Sequence, residues 1–191
     1  MDPTRPTTLA CFAMCIHFNR VAHITDLVGW NLYLGWYVPF FFLNDLWIWF
    51  WHLLYPNRPL CYSEYGAEGM PNLHSGKPRR GDNTEEYQNK YHEYMLKCFK
   101  RHPYMWAHYY WNMFDFAADA RNQGGEPGMN HKGMITFDRK IRSSINDVNI
   151  LDFDIPLILK HDDLIIMEVK YDEFIPVYIQ DLIKLNKTSQ V

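Results

Sequence analysis

Four short apolar runs set the frame for this chain: Thr7 to Met14, Leu27 to Tyr33, Pro59 to Ser63 and Met105 to Phe114. Each has the length of a strand, and helical or loop segments separate them. Strands alternating with helices imply parallel βα units, because a parallel connection must cross over the sheet. The clearest crossover is Thr84 to Arg101, "TEEYQNKYHEYMLKCFKR". Thr84 is placed to cap it, acids fill its first turn and bases its last, and both complement the helix dipole. In such sheets catalytic groups collect at the carboxyl ends of strands. Glu64 ends the third run, and a buried ionised carboxylate costs free energy unless partners hold it.

The stretch Trp36 to Tyr55, "WYVPFFFLNDLWIWFWHLLY", approaches the length of a bilayer span. Pro39, Asn44, Asp45 and His52 interrupt it, and an Asn-Asp pair at its centre would be expensive in lipid. It reads as a loop followed by a helix that Asn44 caps, with no membrane association. The helix is apolar nearly all round, whereas a surface helix has a polar face. Either another surface covers it or it forms a sticky patch, with a homo-oligomer as the expected consequence.

At 191 residues the chain holds one substantial domain, or one domain and an appendage. Its 48% hydrophobic and 17% aromatic content excludes a disordered chain. The net charge of −3 and the lack of a Lys/Arg cluster argue against a nucleic-acid partner, and Lys77 to Arg80 reads as a solvated loop. Cys11, Cys15, Cys61 and Cys98 complete no zinc pattern. Reduced, buried thiols and a polar N-terminus with no signal peptide fit a cytoplasmic location.

A glycine-rich loop, Arg121 to Gly133, follows the fourth run, and Met134 to Lys140 closes the pattern. Beyond Arg142 tryptophan disappears and Ile, Leu and Asp dominate, so a boundary is placed at Arg142 to Ser144. The tail reads as an extended segment, a strand at Leu164 to Tyr171 and a helix beginning near Ile175.

The stretches "DPTRPTTLACFAM", "VGWNLYLGWY", "YPNRPLCYSEYGAEG" and "YWNMFDFAADARNQGGEPGMNHKGMITFDRK" occur in this order. Together they resemble the catalytic domain of glycoside hydrolase family 2, in its β-galactosidase branch. The resemblance implies an α/β fold, a partial (β/α)8 TIM barrel (its second half) over residues 1–142, with a short α+β C-terminal segment over 143–191. It further implies an O-glycosyl hydrolase, a retaining β-glycosidase acting on a β-galactoside. The family's nucleophile falls on Glu64 and the tyrosine that hydrogen-bonds it on Tyr33. A tryptophan lining the sugar subsite falls on Trp111, and an asparagine and a lysine facing the substrate fall on Asn130 and Lys132. From spacing alone Tyr33, Trp111 and Lys132 read equally well as a core tyrosine, a core tryptophan and a loop lysine. The residue types fit the chemistry, since a carboxylate nucleophile forms a glycosyl-enzyme and a neighbouring phenol steadies its charge.

A retaining enzyme uses two carboxyl groups roughly 5–5.5 Å apart. The family's acid/base glutamate precedes the "DPTRPTT" stretch, so the sequence reads as truncated and weak or inactive, without that glutamate or its associated magnesium site. No cofactor or metal is implied for the residues present. Glu68, Asp115 and Asp119 are the nearest stand-ins, with a structural role favoured for the last two. The alternatives are a carbohydrate-binding remnant or a chimera with a phosphate-binding tail. The tail resembles the end of a VTC-type polyphosphate polymerase domain, which would put Glu168 and Lys170 on a tunnel strand.

Overall fold

The computed structural model describes residues 4–12, 20–122, 125–139, 142–144, 157–159 and 165–169. The chain divides into two compact units, Met1–Gly133 and Met134–Val191. In the first, β1 (Thr8–Phe12), β2 (Leu27–Asn31), β3 (Leu60–Tyr65) and β4 (Ala107–Tyr110) form one sheet in that order, every pair parallel. All four apolar runs therefore supply strands, and the crossovers are α1 (Leu43–Leu54) and α2 (Glu85–Arg101). The fourth ladder is shorter than the run that predicts it. After Tyr110 the backbone N–H of Trp111 still donates to the Tyr65 carbonyl at 2.8 Å, but the Trp111–Asn112 peptide bond is cis and the chain leaves the sheet there.

Val28 and Trp30 of β2 and Leu60 and Tyr62 of β3 are almost wholly buried. Ile48 and Trp51 of α1 and Tyr91, Met95 and Cys98 of α2 join them in one core. Strands covered this completely read as continuous apolar runs, not as alternating ones. Cys11, Cys61 and Cys98 are buried thiols, and burial pushes Cys61 and Cys98 up to about 12. Cys15 lies outside the described residues.

The α2 reading holds in detail: the Thr84 hydroxyl accepts from the Tyr87 N–H at 3.2 Å. That of α1 needs correction. Asn44 does not cap it; Phe42 does, with no side-chain hydrogen bond. Asn44 sits inside the first turn, fully buried, and donates to the Leu34 and Phe41 carbonyls at 2.9 Å each. Its Oδ1 accepts from the buried Tyr62 hydroxyl at 3.2 Å. Its polar atoms serve a buried network, where unmade hydrogen bonds are costly. Asp45, one residue on, receives both forks of Arg101 at 2.9 and 2.7 Å, His102 Nε2 at 2.9 Å and the Tyr94 hydroxyl. This ties the start of α1 to the end of α2.

The outer face of α1 is apolar. Phe42, Leu46, Trp49 and Leu53 recur at intervals of four, three and four, and each is at least half exposed. The patch form of the sequence expectation is what the described residues show. No described helix is long and apolar enough to cross a membrane.

A short hairpin, β5 (Phe116–Ala117) with β6 (Met129–Asn130), completes the first unit. In the second unit, β7 (Ile135–Arg139) pairs antiparallel with β10 (Ile165–Val169), and β8 (Arg142–Ser144) with β9 (Leu157–Leu159). The strand expected at Leu164 to Tyr171 is β10, with Glu168 opposite Thr136. Lys170 and the helix expected near Ile175 lie outside the described residues.

Candidate active site

Three strands deliver side chains to one end of the sheet. Tyr33 follows β2, Glu64 is the penultimate residue of β3, and Trp111 follows β4. A register shift after Trp30 sets Asn31 beside Glu64, a second one interrupts the β3–β4 ladder between Tyr62 and Tyr65, and such irregularities re-aim side chains near sites. Gly66 permits the last step. A Cβ there would lie 2.4 Å from the Trp111 carbonyl oxygen, so only glycine lets the two strand ends approach this closely.

The Tyr33 hydroxyl donates to Glu64 Oε2 at 2.8 Å. Burial, and then this bond to the carboxylate and its charge, push the Tyr33 phenol far above the ordinary tyrosine range. Tyr33 thus remains a donor, and Glu64 stays partly open to the cavity beside it.

The β5–β6 hairpin carries the opposite wall. Asn130 is buried, and its Oδ1 accepts from the Lys132 N–H at 3.0 Å. Backbone bonds from Gly69 N–H to the His131 carbonyl at 2.9 Å and from Asn112 N–H to the Lys132 carbonyl at 3.2 Å pin the segment. Lys132, 1% exposed, donates from Nζ to Glu68 at 3.0 Å and to the Tyr37 hydroxyl at 3.1 Å. Its ammonium also lies 5.1 to 5.7 Å from the Tyr37, Trp36 and Tyr33 ring centres, within cation–π range.

All five residues singled out in the sequence, Tyr33, Glu64, Trp111, Asn130 and Lys132, line one cavity of about 470 Å³. That volume suits a small ligand. Trp111, 37% exposed, presents an aromatic surface and makes an edge contact with Phe116. Sequence reasoning missed Tyr37 and Arg121, which also line it. Tyr37 stands four residues after Tyr33 in the quoted "GWY" stretch, a signal that was available. For Arg121 the only signal was a cation at the start of the glycine-rich loop.

The stand-in acids fall elsewhere. Glu68 is 1% exposed and accepts from Lys132 and Arg121, which makes it an ion-pair acceptor and corrects its candidacy as acid. Asp115 accepts from the Gly133 N–H at 2.7 Å and stands 3.0 Å from His131 Nδ1, a structural role. Asp119 is exposed. Glu64 is the only carboxylate lining this cavity among the described residues. Among the described residues one group could offer metal ligands, Asp45, Cys98 and His102, but Asp45 there is already taken by Arg101 and Tyr94.

The chain is homologous, over a partial segment, to β-glucuronidases and β-galactosidase-like proteins of the glycoside hydrolase family 2 type. The β-glucuronidase of Bacteroides fragilis is 36% identical over 152 residues, which is 74% of this chain and 20% of that protein. The FMN-binding β-glucuronidase from Facaelibacterium prausnitzii L2-6 superposes with a TM-score of 0.68 at 44% identity, over 71% of this chain and 21% of that one. A putative β-galactosidase from Bacteroides fragilis gives 0.62 at 33% identity over the same shares. The chain thus spans about a fifth of the length of the relatives it matches. No family model matches it. Its α/β fold with a parallel sheet is similar to fragments of glycoside hydrolase domains. These similarities lend no support to a VTC-type tail.

Proposed function

We propose that this chain carries the nucleophile half of a retaining β-glycosidase, its first 142 residues forming the second half of a (β/α)8 barrel. One observation carries the reading: the hydrogen bond from Tyr33 to Glu64 in a cavity also lined by Trp111, Asn130 and Lys132. Glu64 attacks the anomeric carbon, the bond to the aglycone oxygen breaks, and the resulting glycosyl ester is opened by water. Tyr33 donates to the carboxylate and fixes its orientation, and the Trp111 ring supports the apolar side of the sugar. Asn130 and Lys132 face the ring substituents.

The sequence resemblance by itself implies a β-galactoside. A lysine at the cavity wall suits a sugar with a carboxylate better than one with a hydroxymethyl group, and the relatives named β-glucuronidase point the same way. We therefore take a β-glucuronide as the substrate. With Glu64 the only carboxylate at the described cavity, leaving-group protonation falls to a group outside it, and such acid catalysis is worth about 10²–10⁴-fold. Nothing favours a polyphosphate role for the tail.

The test is covalent labelling. A Bacteroides uniformis β-glucuronidase similar in structure carries cyclophellitol-6-carboxylate aziridine covalently bound. Mass spectrometry of this chain treated with that aziridine is expected to place the label on Glu64, and Glu64→Gln is expected to abolish it. Equal labelling of the variant refutes the assignment. Hydrolysis of an aryl β-glucuronide with an activated leaving group, accelerated by azide, is the matching turnover result.

A further inference from the structure

The outer stripe of α1 has an internal symmetry. Phe42, Leu46, Trp49 and Leu53 stand away from the core residues Ile48 and Trp51, and their spacing brings all four onto one line of the helix surface. Intervals of four, three and four are those of the seam by which one helix packs on another. The four are 53%, 50%, 54% and 58% exposed in that order, so no described part of the chain fills the place of that second helix. Beside the stripe, Phe40 has a left-handed backbone at φ 76°, rare for a bulky side chain, and its ring stands 5.7 Å from that of Phe42. Phe50 and Leu54 extend the apolar surface on one flank. Asp45 and His52 lie on the other, and both are engaged: Asp45 with Arg101 and Tyr94, and the His52 ring stacked on Tyr104 at 3.8 Å. The stripe itself carries no charge.

Area and order together define what fits this face. Half of an aromatic side chain is about 100 Å². On that scale the stripe with Phe40, Phe50 and Leu54 exposes on the order of 600 Å² of apolar surface, the upper end of what a monomer leaves to water. A specific interface takes about 800 Å² from each partner, so this face with a polar rim matches one side of a modest dimer. The side chains run aromatic, leucine, aromatic, leucine, and the spacing of four, three and four reads the same in both directions. A second α1 laid antiparallel therefore meets the stripe in register, with Phe42 against the partner's Leu53 and Leu46 against the partner's Trp49. Every large ring then faces a smaller leucine, the alternation that lets two surfaces interdigitate. A parallel copy would set ring on ring and leucine on leucine. The antiparallel arrangement also opposes the two helix dipoles and closes on a twofold axis.

We infer that this face of α1 is an interface with a second copy of this chain, the two helices antiparallel about a twofold axis and Leu46 opposite the partner's Trp49. The inference is independent of the glycosidase reading, which rests on other residues.

Sedimentation velocity of the whole chain tests it. The unaltered chain is expected to pass from monomer to dimer between roughly 1 and 100 μM, because an interface of this size ranks among the weaker ones. Trp49→Glu and Leu46→Lys are each expected to weaken the dimer about tenfold or more, as loss of a central anchor does. Circular dichroism is expected to show both variants folded, since both side chains are exposed. An equimolar mixture of the two variants is expected to regain the dimer. Antiparallel pairing sets the introduced lysine against the introduced glutamate and leaves the second Leu46–Trp49 contact intact, whereas a parallel interface gains nothing from mixing. If either variant fails to fold, Phe42→Glu and Leu53→Lys replace the pair, with the same expectation. A monomer throughout the concentration range overturns the inference. So does a dimer that these substitutions leave untouched, or one that the mixture does not restore.

Discussion

Tyr33 keeps its proton, and that decides what it can do for Glu64. A phenol pushed upward by burial and by an adjacent carboxylate keeps its proton at ordinary pH and donates it in a hydrogen bond to Glu64. Tyr33→Phe removes one hydrogen bond to a charged group, worth about 1.5–3 kcal/mol. The expected outcome is roughly 10- to 100-fold slower aziridine labelling of Glu64, read as a rate by mass spectrometry, with the melting temperature little changed. Glu64, Tyr33, Trp111, Asn130 and Lys132 were legible in the sequence because each sits inside a long ordered motif. Glu68 and Arg121 were not legible as a pair. They meet across 53 positions of chain, and only folding of the glycine-rich loop brings them together.

The two helices show how much of an element can be read from its residues. The start of α2 was legible from chemistry alone, since a threonine followed by two glutamates satisfies and complements a helix N-terminus. The start of α1 was not, because Asn44 has the right side chain for a cap but is claimed by the buried Tyr62 hydroxyl and two carbonyls. Asp45 beside it supplies a pH prediction. Burial alone would raise its pKa, but the hydrogen bonds from Arg101, Tyr94 and His102 prevail and hold it well below the usual carboxylate range. A carboxyl depressed in the folded state contributes stability above its unfolded value of about 4 and loses it as the pH falls toward the folded value. Asp45→Asn is therefore expected to melt below the unaltered chain at pH 7. Melting curves across the acid range are expected to show that gap closing below about pH 4. A gap independent of pH would mean that the pair contributes by shape alone.

At the scale of the molecule, every residue lining the cavity lies within Met1–Gly133. The parallel sheet, both helices and the core belong to the same unit. Residues 1–133 produced alone are expected to bind uronic deoxynojirimycin as tightly as the whole chain does, measured by calorimetry. A large loss of affinity would show that the second unit supports the site. The α/β class and the parallel pairing of its strands were legible from the alternation of apolar runs with helical segments. The pairings of the second unit were not: β8 and β9 are three residues each, and nothing so short has a periodicity to read.

The close approach at Gly66 also has an evolutionary meaning. The proposed nucleophile, Glu64, and Trp111 come from the ends of different strands, and a single missing methyl group lets those strand ends meet. Drift at position 66 is therefore closed to every amino acid but one, although the residue is not part of the cavity lining. Gly76, with open space around its Cβ position and an ordinary backbone, is free to wander.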